Sequence, residues 1–230
     1  MNSFLIVSIA LFVLWLGVLF ISHKTRREQL VMSVVGLLMT PPALLMSLAD
    51  FRHAIEDGVA SIGIEDFIFA FSLFGIAAVI YQVIFGKHVR KMRGAKVGFK
   101  NGVVNWIAKL VLVMGIWIIT AMTLIALFEV LSIHAFIIAG IMIGIYIIAE
   151  RHDLLLNALF SAVFIALLVF VLEVVLVTRL YPEYGICIWD VQFVTHYLFA
   201  GVPLEDVLWS GVIGFTIGPL YEYLRHYRLV

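Results

Sequence analysis

The sequence predicts an all-α polytopic membrane protein with seven transmembrane helices, arranged as two parallel three-helix repeats joined by a linking helix. Three observations predict it. The chain is 64% hydrophobic and only 13% charged, with a mean hydropathy of +1.14, where a soluble domain is about half apolar and a quarter charged. Seven apolar runs are long enough to cross a hydrocarbon core, which takes about 20 residues. A Glu-Asp motif recurs at the head of two of those runs, 140 residues apart.

The runs are Ser3–Ile21, Leu30–Ala49, Phe67–Phe85, Trp106–Val130, Ile133–Ala149, Leu154–Thr178 and Val207–Leu224. The first is a span rather than a signal peptide. Its basic residues (Lys24, Arg26, Arg27) follow it, and no small-x-small cleavage site does. The second carries Pro41-Pro42, a candidate break. Thirteen of the fifteen Lys and Arg residues fall on one side of this topology, leaving Arg52 and Arg179 opposite. The positive-inside rule then puts the N-terminus outside and the C-terminus in the cytoplasm of an integral, multi-pass cell-membrane protein. The Lys/Arg-rich stretch at 86–109 is a topology anchor. Asp50, Glu56, Asp57, Glu65, Asp66, Glu129, Glu183, Asp190, Glu205 and Asp206 gather on or near the outer side, which the orientation rule does not demand.

Gly63-Ile64-Glu65-Asp66-Phe67-Ile68-Phe69 opens the third run and Pro203-Leu204-Glu205-Asp206-Val207-Leu208-Trp209 the seventh. The offset holds at the far ends, where Tyr81-Gln82 matches Tyr221-Glu222. Residues 1–85 are thus a first repeat, 86–131 a basic loop and linking helix, and 132–230 a second repeat. Because both motifs lie on one side, the pseudo-twofold axis runs along the membrane normal. First-turn acids also suit the helix dipole, so a Glu-Asp pair serves equally as a polar stop. Neighbouring helix positions point about 100° apart. One acid of each pair therefore faces the interior, and the pattern fits either.

The second motif resembles the signature of the lycopene cyclase domain, the small integral-membrane carotenoid cyclase found as heterodimers or fused chains: Pro-x-Glu-Glu/Asp followed by apolar and aromatic residues at the start of a span. The first copy departs from it, with Gly63 in place of Pro203. The resemblance implies cyclisation of the linear ψ-end of lycopene to a β-ionone ring, giving β- or γ-carotene without net redox change. An acid protonates the terminal double bond, the neighbouring alkene attacks the tertiary cation, and a base removes a ring proton. It implies an isomerase (intramolecular lyase) of the lycopene β-cyclase type, without cofactor or metal. Its partners are the carotenoid and the bilayer, not nucleic acid, and the chain is compatible with a homo-oligomer.

Such chemistry needs a carboxylic acid and a carboxylate side by side, as Glu65, Asp66, Glu205 and Asp206 supply, with one Glu from each half the preferred pair. Glu173, an acid inside the sixth run, is a further catalytic candidate, because intramembrane acids are costly; it also has Arg179 to pair with. A cation needs a π-rich, water-free wall. Phe67, Phe69, Trp209 and Phe215 are the substrate-binding candidates, with Phe71 and Phe74 beside them, although aromatics also serve plain packing. Glu222 reads as an interface residue.

Other readings fall away. No Gly-x-Gly-x-x-Gly opens a helix, the seven His residues form no ligand pair, the one Cys (Cys187) builds no disulfide, and the seventh run has no Lys for a retinal Schiff base. The remaining alternative is a proton-coupled transporter, or a lipid- or isoprenoid-binding membrane protein without catalysis, since acids at repeat interfaces also build carriers.

Overall fold

Inside a bilayer every backbone N–H and C=O must find a partner within its own segment, so long apolar runs become helices. The computed structural model describes residues 3–47, 63–91, 102–180 and 197–229. It contains α1 (Ser3–Ile21), α2 (Arg26–Ser47), α3 (Ile64–Phe85), α4 (Gly102–Phe128), α5 (Ser132–Glu150), α6 (Leu155–Leu172), α7 (Leu204–Ile217) and α8 (Leu220–Arg225). A π-helical stretch, Glu173–Leu180, continues α6. Six helices among the described residues are long and apolar enough to span, the sixth being His152–Leu180. The expectations for Asp50, Arg52, Glu56, Asp57, Glu183, Cys187 and Asp190 lie outside the described residues.

Two breaks differ from expectation. The predicted seventh run is split into α7 and α8 at Gly218-Pro219, because Pro219 has no N–H for the Phe215 carbonyl and its ring crowds that carbonyl. Conversely, α2 runs through Pro41 and Pro42 unbroken. Five helices also begin earlier than their apolar runs, and α2 takes in Arg26, Arg27, Glu28 and Gln29.

In the first half α3 packs on both α1 and α2, and in the second α7 packs on both α5 and α6; α3 meets α6 and α7. Nothing hydrophobic drives one spanning helix onto another within lipid, so close approach and hydrogen bonds decide. Trp15 Nε1 donates to Ser33 Oγ at 2.9 Å and Gln29 Nε2 to the Trp15 carbonyl at 2.8 Å, joining α1 to α2. A Cβ at Gly75 would run into that Trp15 ring and Ser33 hydroxyl, so glycine lets α3 close over them. Likewise a Cβ at Gly214 would meet the α6 backbone at Ser161 and Ala162. The core includes Leu11, Met32, Leu73, Ile76, Ile147, Ile165 and Ile217, all fully buried.

Two short antiparallel ribbons, unforeseen in the sequence, tie the ends. β1 (Val89–Lys91) pairs with β4 (Tyr227–Leu229), and β2 (Leu198–Phe199) with β3 (Val202–Pro203). The β2–β3 turn is Ala200-Gly201, both residues left-handed at φ 51° and 87°, the conformation a two-residue hairpin needs.

Candidate functional site

The β2–β3 hairpin delivers Pro203 to the N-cap of α7 in an extended conformation, φ −60° and ψ 137°. Two residues later Glu205 is buried, only 3% exposed. Its Oε1 lies 3.9 Å from Nε2 of His134, in the first turn of α5. Asp206 is half-buried. Glu173 sits where α6 passes into its π-helical stretch, half-buried, and its carboxyl group feels the charge of Asp206. Arg179, its other candidate partner, is exposed. At the first motif the burial is reversed: Asp66 is buried and Glu65 half-buried. The Oδ2 of Asp66 accepts the Gly63 N–H at 3.0 Å, closing the first turn of α3.

The aromatic candidates divide. Phe69 stacks on Trp209, with ring centroids 6.2 Å apart and planes at 21°, and Phe4 of α1 also lies against Phe69, with centroids 5.2 Å apart. Phe69 and Trp209 each stand four residues after the Glu of their motif, so matching positions meet. Phe67 is half-buried beside them in sequence. Phe71 joins Trp15 and Phe12 of α1 instead, at 4.8 and 6.4 Å, and Phe74 packs over Gly36 of α2. Phe215 fills the space that Gly144 leaves on α5. It lies ten residues beyond Glu205, about 15 Å along the helix.

A second polar cluster, at the opposite end, was only half visible in sequence. Gln82 Nε2 donates to Glu222 Oε1 at 3.0 Å, again joining matched positions 140 residues apart. Asn157 Nδ2 donates to the same oxygen at 3.1 Å and to the Gly218 carbonyl at 3.1 Å, and its Oδ1 accepts from Ser161 at 3.1 Å. Glu28 of α2 lies within electrostatic reach of Glu222. Sequence reading passed over Glu28, because an acid just ahead of an apolar run looks like the loop before a helix. The available signal was the pair of uncharged or acidic residues, Glu28-Gln29, inside a basic turn. Nearby, Arg151 Nε and Nη2 bond Asp153 at 2.8 Å, and Nη2 also bonds the Tyr227 carbonyl. Among the described residues, no group of three or more His, Cys, Asp or Glu is placed to hold a metal ion.

Residues 131–224 match the family model described as lycopene cyclase. Comparisons with curated proteins and with solved structures find no match. The matched segment contains α5, α6, α7 and nearly all of α8, and with them the Pro203–Trp209 motif, Glu173 and His134. The chain is a multi-pass membrane protein whose residues 131–224 are similar to the lycopene cyclase family.

Proposed function

We propose that the chain is a carotenoid cyclase of the lycopene β-cyclase type, an isomerase that closes the ψ-end of a linear carotenoid into a β-ionone ring. The observation that carries this reading is the stacked Phe69–Trp209 pair. It brings together the two helix heads that bear Glu65-Asp66 and Glu205-Asp206, with Glu173 facing Asp206. One carboxylic acid gives its proton to the terminal double bond. The adjacent alkene closes the ring on the tertiary cation, and a neighbouring carboxylate takes a ring proton, so protons balance and no electrons are exchanged. Glu205 and Glu65 are the preferred pair, with Asp206, Glu173 and Asp66 supporting them. Phe67, Phe69 and Trp209 form the cation's wall, and Phe215 braces α7. His134, 35% exposed, gives the buried Glu205 a route for proton exchange.

The same pairings support two parallel repeats, 1–85 and 132–230, related by an axis along the membrane normal. Residues on such an axis touch their own counterparts, as Phe69 and Trp209 do at one end and Gln82 and Glu222 at the other. With the motifs on the outer side, α3 covers about 26 Å from Glu65 to Gln82, close to the length of a forty-carbon polyene. The substrate then lies lengthwise and presents one end at a time.

The test is pigment analysis of a lycopene-accumulating bacterial host expressing the chain alone. A cyclic carotene is expected, and Glu65→Gln and Glu205→Gln should each abolish both cyclisations. If one variant yields only monocyclic product while the other behaves normally, the single shared site is wrong. Unchanged lycopene, with the protein in the membrane, refutes this substrate and favours the carrier reading, which the break at Gly218-Pro219 would then explain.

A further inference from the structure

Where α4 meets the end of α8, opposite the Glu-Asp motifs, buried donors lack acceptors. Trp106 and Lys109 stand three residues apart on α4 and so share a face. The guanidinium carbon of Arg225 lies 4.9 Å from the centre of the Trp106 ring and 5.9 Å from that of Tyr221. Lys109 Nζ donates to His226 Nε2 at 2.9 Å and lies 6.0 Å from the centre of the Tyr223 ring. Within this contact Trp106 Nε1 and Arg225 Nε are buried without any hydrogen-bond partner. An indole and a guanidinium keep their protons at any ordinary pH, so only an incoming acceptor satisfies them. Both residues are half-buried, which leaves the donors one side-chain rotation from the surface.

A second observation lies on the adjoining ribbon. The β1–β4 pairing sets Arg90 directly opposite Arg228, and both are exposed. Successive strand residues face opposite ways, so the half-buried Val89 and Leu229 take the other face. Like charges directly opposite one another repel. A topology signal asks for basic residues on this side of the membrane, not for two of them face to face.

Charge selects the class of acceptor. The described acids at this end are Glu28, Glu150, Asp153 and Glu222. Arg27, Lys109, Arg151 and Arg225 match them one for one even with every carboxyl group ionised, and Arg90 and Arg228 remain over. The surplus is therefore positive in any protonation state. Three of the acids also have donors of their own: Glu150 takes the Tyr223 hydroxyl, Asp153 takes Arg151, and Glu222 takes Gln82 and Asn157. With this end cytoplasmic, as the Lys and Arg distribution predicts, it borders the leaflet that carries anionic lipid.

We propose that Trp106, Lys109 and Arg225, with Arg90 and Arg228 on the adjoining ribbon, bind the phosphate of one anionic phospholipid headgroup at the seam between α4 and α8. The site goes beyond the cyclase reading and shares no residue with the Glu-Asp motifs. A lipid held there ties the linking helix to the last helix of the chain.

The test is thermal unfolding of the full-length protein in nanodiscs of phosphatidylcholine alone, or of phosphatidylcholine and phosphatidylglycerol in equal parts. A rise in Tm of several degrees with phosphatidylglycerol is expected. Trp106→Phe keeps the ring and removes the donor. It should melt as wild type does in phosphatidylcholine and lose part of the rise. Arg225→Gln, and Arg90→Gln combined with Arg228→Gln, should lose more of it, while Lys24→Gln, an exposed charge at the same end, keeps it. Identical melting in the two lipids overturns the proposal. A rise that Lys24→Gln weakens as much as Arg225→Gln does also overturns it, in favour of general attraction to a charged surface. Inorganic phosphate added to the phosphatidylcholine discs at equal ionic strength should not reproduce the rise; if it does, the occupant is a free anion and the lipid proposal fails. Native mass spectrometry of the wild type needs no variant: one phosphatidylglycerol should stay bound after phosphatidylcholine has been stripped, and equal loss of the two overturns the proposal. No readout involves carotenoid, so this site and the cyclase reading stand or fall separately.

Discussion

Asn157 is the residue on which the lower end of α7 and α8 hangs, and replacing it with alanine should be costly. Its side chain takes part in three hydrogen bonds, to the Gly218 carbonyl, to Glu222 and from Ser161, each at 3.1 Å, and it is 1% exposed. Hydrogen bonds between spanning helices average about 0.6 kcal/mol, so the two that leave α6 and the one within it, taken at a similar value, together contribute about 2 kcal/mol. The small cavity left by the amide adds about 1 kcal/mol. Asn157→Ala should therefore destabilise by about 3 kcal/mol, roughly a 150-fold change in the folding equilibrium. Ser161→Ala breaks only the bond within α6 and should cost about 0.6–1 kcal/mol. Reversible unfolding in mixed detergent micelles at constant salt, followed by far-UV circular dichroism, measures both. If Asn157→Ala lies within about 0.5 kcal/mol of wild type, or the two variants are equal, the break at Gly218-Pro219 is not held by this side chain and the reasoning fails.

Three other outcomes follow from the packing. In a double-mutant cycle, Phe69→Leu and Trp209→Leu should show a coupling of about 0.5–1.5 kcal/mol; additive effects would mean the stacked contact carries no energy. Gly214→Ala should destabilise by about 1–3 kcal/mol, since its Cβ meets the α6 backbone. Gly17→Ala, which meets nothing within 4 Å, should be neutral or stabilising by up to about 1 kcal/mol, and thermal melts of the two compare them directly. His226 receives the Lys109 ammonium at 2.9 Å, and burial, with Lys109 and Arg151 nearby, holds its pKa below the ordinary 6.5. The fold thus favours neutral imidazole, so its contribution is present above pH 6.5 and is lost as pH falls through the lowered folded value. Tm should drop on acidification through that window, and less so in His226→Asn, which tolerates the left-handed backbone at this position, φ 52°.

Hydropathy located the helices because lipid-facing side chains such as Val13, Leu38 and Ile119 are exposed and apolar. The same criterion misplaced helix starts. Glu28 and Gln29 precede the apolar run yet lie in the first turn of α2 and are buried by their neighbours. Apolar runs report what faces lipid, whereas the buried polar atoms face inward. The sequence matched Gln82 with Glu222 by their shared offset, but their contact was not legible, because register says nothing about which face a helix turns inward. Pro219 carried the sequence signal of a break and Pro41-Pro42 carried the same one. Only packing decided between them. The β2–β3 hairpin is too short to show a strand pattern, and Ala200-Gly201 lacks the Asn or Asp that usually announces such a turn.

The Gln82–Glu222 hydrogen bond makes its interface directional. The amide donates and the carboxylate accepts, so the contact is complementary when one half of the chain meets the other. Were the two halves cut apart and mixed, a pair of second halves would set Glu222 against Glu222, two acceptors with no proton donor between them. A pair of first halves would set Gln82 against Gln82, where one amide can donate to the other, so only the pairing of second halves is disfavoured. A single amide-for-carboxylate exchange at the matched positions thus disfavours one of the two like pairings, and the connecting helix α4 need not enforce the pairing by tethering alone.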